Sequence, residues 1–414
     1  MELGKPKLDK RTLLISFIAF FVGLSIVLSV ICGMLFVELR RVQNLNGRGS
    51  SLIINPDTQT DIDKVIANIE TIMSKYSVIE HDEDYKSQVI NGYLAYSGDR
   101  YAYYYTGEEW AKETAEDSGN SYGIGVTVAW TGTTLQIVHV MEVSPAKEAG
   151  IQEGDELISV NGTLFEGLSY YDAVSLCRGE KGDERKFVIK RGEEELTVTV
   201  ICDDYTINSV FYSVKEYKGK KIGVIECTQF IRPTPNEIKN AIGNLKSENC
   251  TGIIFDMRGN PGGLLTSVVD TLDLLLGEGP VVYITYKDKT QTETFSSDKN
   301  SISDLPYVIL ADENTASAGE LFTSCMRDFE RATIIGTTTF GKGCGQNTYP
   351  LSDGGFVKLT TFYYSPPKTE NYDGVGIVPD IEVKLPEEYE GKSPSLVPED
   401  QDTQMLAALD FLTK

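Results

Sequence analysis

The sequence predicts an α/β core of βαβ units around a mixed sheet, with an inserted mostly-β domain, an N-terminal helical region and a transmembrane helix. Three observations support this fold class. From residue 221 onward, strand-like and helix-like segments alternate, as they do in βαβ units. Between residues 121 and 202, short apolar runs alternate with Gly, Asn and Asp turns. Near the start, residues 12–37 contain no charged side chain.

The composition limits the classes of function. The chain has 414 residues, 41% hydrophobic and 24% charged, which is typical of a globular protein of two or three domains. Its 38 Lys and Arg against 61 Asp and Glu give a formal charge of −23, so no nucleic-acid partner is expected. There are only two histidines, His81 and His139, and the seven cysteines form no C-x-x-C pair. A multi-histidine metal site, a zinc motif and a disulfide framework are therefore not expected.

The uncharged run from Thr12 to Val37 is 26 residues long, enough to cross a hydrocarbon core of ~30 Å. It lacks the small-residue cleavage site of a signal peptide, so we expect an uncleaved anchor between a tail at 1–11 and a linker at 38–58. Basic residues before the run slightly outnumber those after it, which predicts a cytoplasmic N-terminus and an extracytoplasmic remainder at the cell membrane. The opposite orientation stays open because unpaired cysteines suit a reducing cytoplasm.

Residues 59–118 are predicted to be mostly helical. Apolar side chains recur at helical spacing from Val65 to Met73, and a second helical stretch covers residues 85–96. The tyrosines between Tyr101 and Tyr105 are interpreted as an aromatic packing layer.

Residues 119–203 form the mostly-β domain. A helix begins at Ser144-Pro145 and ends at Gly150. The predicted strands of this domain are 125–128, 135–141, 156–160, 186–189 and 196–201.

Residues 204–392 supply the strand–helix alternation, and residues 393–414 form a C-terminal tail with a last short helix. Thr234-Pro235-Asn236-Glu237 matches a capping box that begins one helix, and further helices are predicted at 264–276 and from Asn314. The predicted strands of this region are 222–225, 252–257, 280–286, 307–311 and 333–336.

Ser317 is the first candidate for chemistry. An apolar strand ends at Ala311, and a turn of small residues places Ser317 where the next helix begins. The free amides of a helix N-terminus can hold an oxyanion while a serine there attacks a carbonyl. On this segment alone, a serine that only caps its helix is an equal alternative.

A serine nucleophile needs a base, and neither histidine lies in the α/β region. Lys342, among the glycines of the segment 340–346, can serve if desolvation lowers its pKa from ~10.4, and Gln346 is placed to orient the amine. The same loop also matches most of a phosphate-binding G-x-x-x-x-G-K motif beginning at Gly336. However, Gly343 replaces the Ser or Thr that would hold magnesium.

The segment Asp256-Met257-Arg258-Gly259-Asn260-Pro261-Gly262-Gly263 closes a strand before a helix. Its glycines can present backbone N–H groups to an oxyanion or a ligand. Asp256 and Arg258 are expected to pair locally with each other.

Together these segments resemble the carboxyl-terminal processing proteases, a family of PDZ-containing Ser/Lys serine peptidases also called tail-specific proteases. The resemblance covers residues 60–414. The family's D-L-R-x-N-P-G-G, S-A-S-A-S-E and T-F-G-K-G-x-x-Q segments appear here, in order, at 256–263, 315–320 and 339–346. Gly98-Asp99-Arg100-Tyr101 replaces a common D-P-Y, a departure expected to leave catalysis untouched.

By this resemblance, Ser317 is the nucleophile, Lys342 the general base and Gln346 its orienting partner. The implied oxyanion hole combines the amide of Ala318 with one from Gly262 or Gly263. The resemblance also implies an endopeptidase that needs no metal or cofactor, with a possible homodimer through the N-terminal helices.

The β domain resembles a bacterial PDZ domain, with Tyr122-Gly123-Ile124-Gly125-Val126 as the loop that binds a peptide's C-terminal carboxylate. The expected partners are protein or peptide substrates with apolar C-termini, whose engagement gates the active site in this family; scaffolding is the alternative. The sequence thus predicts a membrane-anchored serine endopeptidase. A catalytically silent PDZ-containing binding or scaffold protein, and a cytoplasmic phosphate-binding enzyme, are the competing hypotheses.

Overall fold

The computed structural model describes residues 85–287, 292–298 and 300–414, and the isolated positions 69, 71, 72 and 75. Those four positions are helical and exposed, and they belong to the first of two compact units, residues 1–82; the second comprises residues 83–414. The predicted segments 1–11, 12–37 and 38–58 lie outside the described residues. Among the helices of the described residues, none is both long and apolar enough to cross a membrane.

The second unit contains both helices and strands. Its α-helices are α1 (Tyr85–Tyr96), α2 (Gly107–Asp117), α3 (Pro145–Glu148), α4 (Tyr170–Cys177), α5 (Thr234–Ser247), α6 (Leu265–Leu275), α7 (Ala318–Asp328) and α8 (Thr403–Leu412). Its strands are β1 (Tyr103–Tyr105), β2 (Asn120–Gly123), β3 (Val126–Trp130), β4 (Leu135–Val140), β5 (Glu156–Val160), β6 (Thr163–Leu164), β7 (Glu184–Arg191), β8 (Glu194–Ile201), β9 (Asp203–Thr206), β10 (Val210–Tyr217), β11 (Lys220–Cys227), β12 (Gly252–Asp256), β13 (Gly279–Tyr286), β14 (Thr292–Ser297), β15 (Tyr307–Ala311), β16 (Ala332–Gly336), β17 (Cys344–Pro350), β18 (Phe356–Ser365) and β19 (Ile381–Glu382).

The central sheet has the strand order β10-β11-β12-β15-β16-β19. The β10–β11 pair is antiparallel and the other pairs are parallel, so the sheet is mixed, as predicted. Helices cover both of its faces. In β15, Ile309 packs in the cluster that includes α5, α6 and α7, whereas Val308 and Leu310 pack with α8. This alternation explains why β15 is apolar and buried throughout.

A second, antiparallel sheet has the order β1-β18-β13-β14, with β17 also paired to β18. Strand β13 was predicted as part of the βαβ alternation, but it pairs with β14 and β18 instead. The tyrosine run forms β1, which pairs with β18. Its side chains pack as an aromatic cluster: Tyr104 is buried, and Tyr105 packs on Trp110 and on the partly exposed Tyr103.

The β domain has its own core and its own sheet, in the order β3-β4-β5-β7-β8 with β6 beside β5. Strands β2 and β9 pair where the chain enters and leaves it. As predicted, a helix begins after Ser144, whose hydroxyl accepts a hydrogen bond from the Lys147 amide at 3.2 Å.

The predicted capping box at the start of α5 does not form. Pro233 occupies the cap position, and Thr234 is the first helical residue. The Thr234 hydroxyl accepts from the Ile231 amide at 2.9 Å, and the Glu237 carboxylate accepts from the amide and hydroxyl of Ser209 at 3.0 and 2.6 Å. Both side chains therefore bond outside the helix, and the hydrogen bonds of Glu237 join α5 to the segment before β10. These tertiary contacts replace the predicted local capping box.

Candidate active site

Ser317 lies immediately before α7, with a backbone φ of +52°. A residue other than glycine in this region is strained, at a cost of about 1–3 kcal/mol that surrounding structure must offset. Its amide donates to the Glu320 carboxylate at 2.9 Å, and the hydroxyl of Tyr364 lies 3.5 Å from its Oγ. The turn thus holds the serine at the opening of a cavity of about 480 Å³.

Glu320 connects the nucleophile to the loop that carries Lys342. It is fully buried on α7, where its Oε2 accepts from the amides of Ser317 and Lys342 at 2.9 and 2.8 Å. Its Oε1 accepts from the Gly341 amide at 2.7 Å and the Thr339 hydroxyl at 2.5 Å. Four donors compensate the desolvation of this carboxylate, and the two loops are locked together.

Lys342 lines the same cavity, and burial lowers the pKa of its amine below the ordinary value. Its Nζ lies 4.4 Å from the ring centre of Tyr101. Within the described residues, no hydrogen bond joins Lys342 Nζ to Ser317 Oγ. The structure therefore brings the backbones of the predicted pair together and places the amine against an aromatic ring.

Gln346 follows on β17 and lines the same cavity. Its side-chain Nε2 contacts the sulfur of Cys344 at 3.9 Å; no hydrogen bond from it to Lys342 is formed in the described chain. Burial raises the pKa of Cys344 to about 11, which agrees with the expectation of an inert thiol at this position.

The two candidate oxyanion glycines differ in what their amides do. The Gly262 amide donates to the Asn260 side chain at 2.8 Å and is already used. The amides of Gly263 and Ala318 donate to no protein group in the described structure, and both residues line the cavity. Gly263, rather than Gly262, is therefore free to act with Ala318 on an oxyanion.

The glycine turn is held by Arg258. Its guanidinium donates to Asp256 at 2.9 and 2.6 Å, the local pair that the sequence predicted. It also donates to Asp402 at 3.0 and 2.9 Å and to Gln404 at 3.1 Å, both near the start of α8. Two carboxylates and one amide oxygen thus accept hydrogen bonds from the buried guanidinium of Arg258, and they compensate the loss of its hydration.

A second cavity, of about 210 Å³, lies in the β domain between β3 and α4. The predicted carboxylate loop, Tyr122 to Val126, lines it, and so do Val174 and Cys177 of α4. The carbonyls of Ile124 and Gly125 accept from the Ala146 and Met141 amides at 2.9 and 3.0 Å. The loop is thereby fixed next to β3, the edge strand of its sheet, as strand addition of a peptide requires.

Two protein-family models match this chain. The model of the PDZ domain matches residues 113–190, and the model of Peptidase family S41 matches residues 221–383. A Staphylococcus haemolyticus protein described as "Probable CtpA-like serine protease" is 31% identical over 350 residues, covering 84% of this chain and 69% of that protein. The chain belongs to peptidase family S41.

A second relative and a solved structure are also similar to this chain. A Staphylococcus aureus protein of the same description is 29% identical over 374 residues, or 89% of this chain and 73% of its own length. The fold is shared with a putative S41 protease of Bacteroides fragilis, at a TM-score of 0.58 and 17% identity over 83% of this chain and 96% of that one. The predicted family, its PDZ domain and its serine protease activity are confirmed.

Two residues that shape this S41 site were missed in the sequence. Glu320 was not predicted as a site residue, although a carboxylate among apolar helix residues is a signal of a buried network. Tyr101 was predicted only as part of an aromatic packing layer, and its ring contacts Lys342. No local pattern could show this contact, because the two residues are far apart in the sequence.

Proposed function

We propose that this S41 peptidase is a membrane-anchored endopeptidase that cleaves with a Ser317–Lys342 dyad assisted by Gln346. The observation that carries the proposal is the shared clamp: one buried carboxylate, Glu320, holds the backbone amides of both Ser317 and Lys342 at the wall of one cavity. A scaffold with no chemistry to perform has no need of this arrangement.

The proposed reaction uses these groups in sequence. Ser317 Oγ attacks the carbonyl carbon of the scissile peptide while Lys342 Nζ takes the hydroxyl proton. The amides of Gly263 and Ala318 hold the oxyanion. Collapse breaks the C–N bond, the proton passes to the leaving amine, and an acyl-enzyme remains. Lys342 then activates a water that releases the new carboxylate and restores Ser317.

Substrate recognition is assigned to the PDZ groove. Its lining combines the apolar side chains of Val126, Val128, Leu135 and Val174 with the charged Lys112, Glu116 and Arg178. We assign the terminal side chain of the substrate to the apolar part. The backbone at Tyr122–Val126 would receive the terminal carboxylate. Protein substrates with apolar C-termini are the class this groove supports.

The anchor and its orientation rest on the uncharged run at 12–37 and on the basic residues around it. A protease added outside intact cells should digest the domains after residue 58 and spare the tail at 1–11. Protection of those domains would overturn the orientation. The homodimer through residues 59–118 stays a prediction, which sedimentation velocity of the full chain tests.

The dyad is tested with the full chain at pH 8 and an unfolded protein that ends in apolar residues. Ser317→Ala and Lys342→Ala should each lower kcat by at least roughly 10³-fold, and Gln346→Ala by less. Ser324→Ala is the matched control, because its hydroxyl lies on the same helix and donates only to helix carbonyls. Equal cleavage by wild type and both dyad variants would refute the assignment; tail binding without cleavage would favour the silent binding protein.

A further inference from the structure

Tyr101 lies on the short connection between α1 and β1, and the face of its ring is within reach of a cation. Lys342 Nζ is 4.4 Å from the ring centre, inside the ~6 Å limit for a cation–π contact. The Tyr101 hydroxyl is buried and has no hydrogen-bond partner among the described residues. The aromatic face, not the phenol oxygen, is therefore the part of Tyr101 that meets the base.

The connection is fixed to the sheet beside the site. The Asp99 carboxylate accepts from the amide and hydroxyl of Thr360 at 2.8 and 2.9 Å, and from the Tyr101 amide at 3.1 Å. Thr360 stands opposite Gln346 in the β17–β18 pair. These contacts fix the segment of Tyr101 beside β17, the strand that follows Lys342. The position of the ring is therefore set by residues distant from it in the sequence.

The ring discriminates between the two protonation states of an amine. Its quadrupole attracts an ammonium ion, whereas a neutral amine gains nothing comparable. Tyr101 also carries a second cation, since Arg100 Cζ lies 4.7 Å from the ring centre. The charged or titratable groups around Lys342 include Arg100, Lys358, Cys344 and Glu320, with Glu113, Asp117 and Tyr364 on the cavity wall.

We infer that Tyr101 is a positioning residue for the base: its ring face holds the charged amine of Lys342 away from Ser317, and loss of the proton releases the amine toward the serine hydroxyl. The inference rests on the proposed Ser/Lys mechanism. It accounts for a structure in which both backbones are clamped by Glu320 while the amine and the serine are not hydrogen-bonded. The amine reaches the nucleophile in the form that can accept a proton.

The test compares Tyr101→Phe, which keeps the ring face, with Tyr101→Leu, which keeps apolar bulk and removes the quadrupole. Two quantities are measured on the full chain against pH. One is kcat/KM for the unfolded substrate; the other is the rate at which acetic anhydride labels Lys342, read by mass spectrometry. The labelling readout reports proton loss from the amine whether or not the chain cleaves peptides.

We expect Tyr101→Phe to match wild type in both curves. Tyr101→Leu should shift the labelling midpoint and the acid limb of kcat/KM together to lower pH, by about one unit, with little change in KM. If Phe and Leu shift alike, or neither shifts, the ring does not position the base. A labelling shift without a matching shift in kcat/KM overturns the link to catalysis.

Failure of the proposed function would look different. In that case Lys342→Ala would cleave as wild type does, while the Tyr101→Leu labelling shift would persist. That result would remove the mechanism and, with it, the positioning role, but leave the contact established.

Discussion

Oε2 of Glu320 accepts a hydrogen bond from the Lys342 amide at 2.8 Å, across 22 residues of sequence. The same oxygen accepts from Ser317, so one atom sets the spacing between the backbone of the nucleophile and that of the base. The spacing at the site therefore depends on a fully buried side chain that does not itself line the cavity.

Replacing Glu320 with glutamine should disturb both loops. Each carboxylate oxygen accepts two hydrogen bonds, so the amide nitrogen of a glutamine must face two donors whichever way it is placed. We expect Glu320→Gln to lower the free energy of unfolding by about 3 kcal/mol and kcat/KM roughly 100-fold. Urea unfolding and peptide cleavage measure the two effects.

The control is Glu313→Gln. Glu313 is exposed on the preceding turn, where it accepts one hydrogen bond from the Thr337 hydroxyl at 3.0 Å. Its replacement should change stability by less than about 0.5 kcal/mol. Similar losses in both variants would argue against a special role for the buried carboxylate.

Gly263→Ala should be far more damaging than Gly259→Ala, although both glycines have positive φ, +136° and +73°. A Cβ at 263 would lie 2.1 Å from the carbonyl oxygen of Phe230, whereas a Cβ at 259 meets nothing within 4 Å. We expect a loss of about 1–2 kcal/mol at 259 and more than ~4 kcal/mol at 263. Thermal unfolding followed by circular dichroism compares them; equal losses would contradict the close approach.

Much of the fold follows from the sequence, because alternation of apolar residues reports burial directly. Strands such as β12 and β15 and the apolar face of α5 were predicted on that basis. Periodicity does not say which sheet a strand joins, so β13 was assigned to the wrong neighbours. Which amide is free at the glycine turn depends on Asn260, and no spacing rule reports that.

Alkylation should spare the activity. The Cys344 thiol is buried, and a pKa of about 11 leaves very little thiolate at pH 8. We expect iodoacetamide at pH 8 to leave kcat/KM unchanged over a time in which the urea-unfolded chain is fully labelled. Rapid inactivation that a Cys344→Ser variant resists would show an accessible, reactive thiol beside Lys342.

Contact between the PDZ domain and the core should weaken as pH rises. His139 stacks on Phe211 of β10, with its ring nitrogens 3.2 Å from Glu226 and 3.4 Å from Glu153. Burial lowers the pKa of His139, but the hydrogen bond and charge of Glu226, with Glu153, outweigh it, so the pKa lies above the ordinary value. Because the pKa of His139 is higher in the folded protein, protonated His139 stabilises the contact fully below the unfolded pKa of ~6.5. This stabilisation is lost as the pH rises through the pKa of the folded protein.

Hydrogen exchange in β4 and β10, corrected for intrinsic rates, measures this effect. Protection should be greater at pH 5.5 than at pH 8.5. His139→Phe keeps the stacking and removes the titration, so its protection should not vary over this range; Glu142 and Lys147, which border the same cavity, remain in place. Equal pH dependence in both proteins would assign the effect to other groups.

The ion pair between Arg258 and Asp402 also joins the glycine turn to a part of the chain 144 residues further on. The ribosome makes Ser317 and Lys342 well before Asp402 and Gln404, which hold the guanidinium next to the glycine turn. A nascent chain that has reached residue 350 carries every proposed catalytic group but not the carboxylate that completes their support. Without Asp402, Arg258 would keep Asp256 but lose two of the hydrogen bonds that tie the glycine turn to α8.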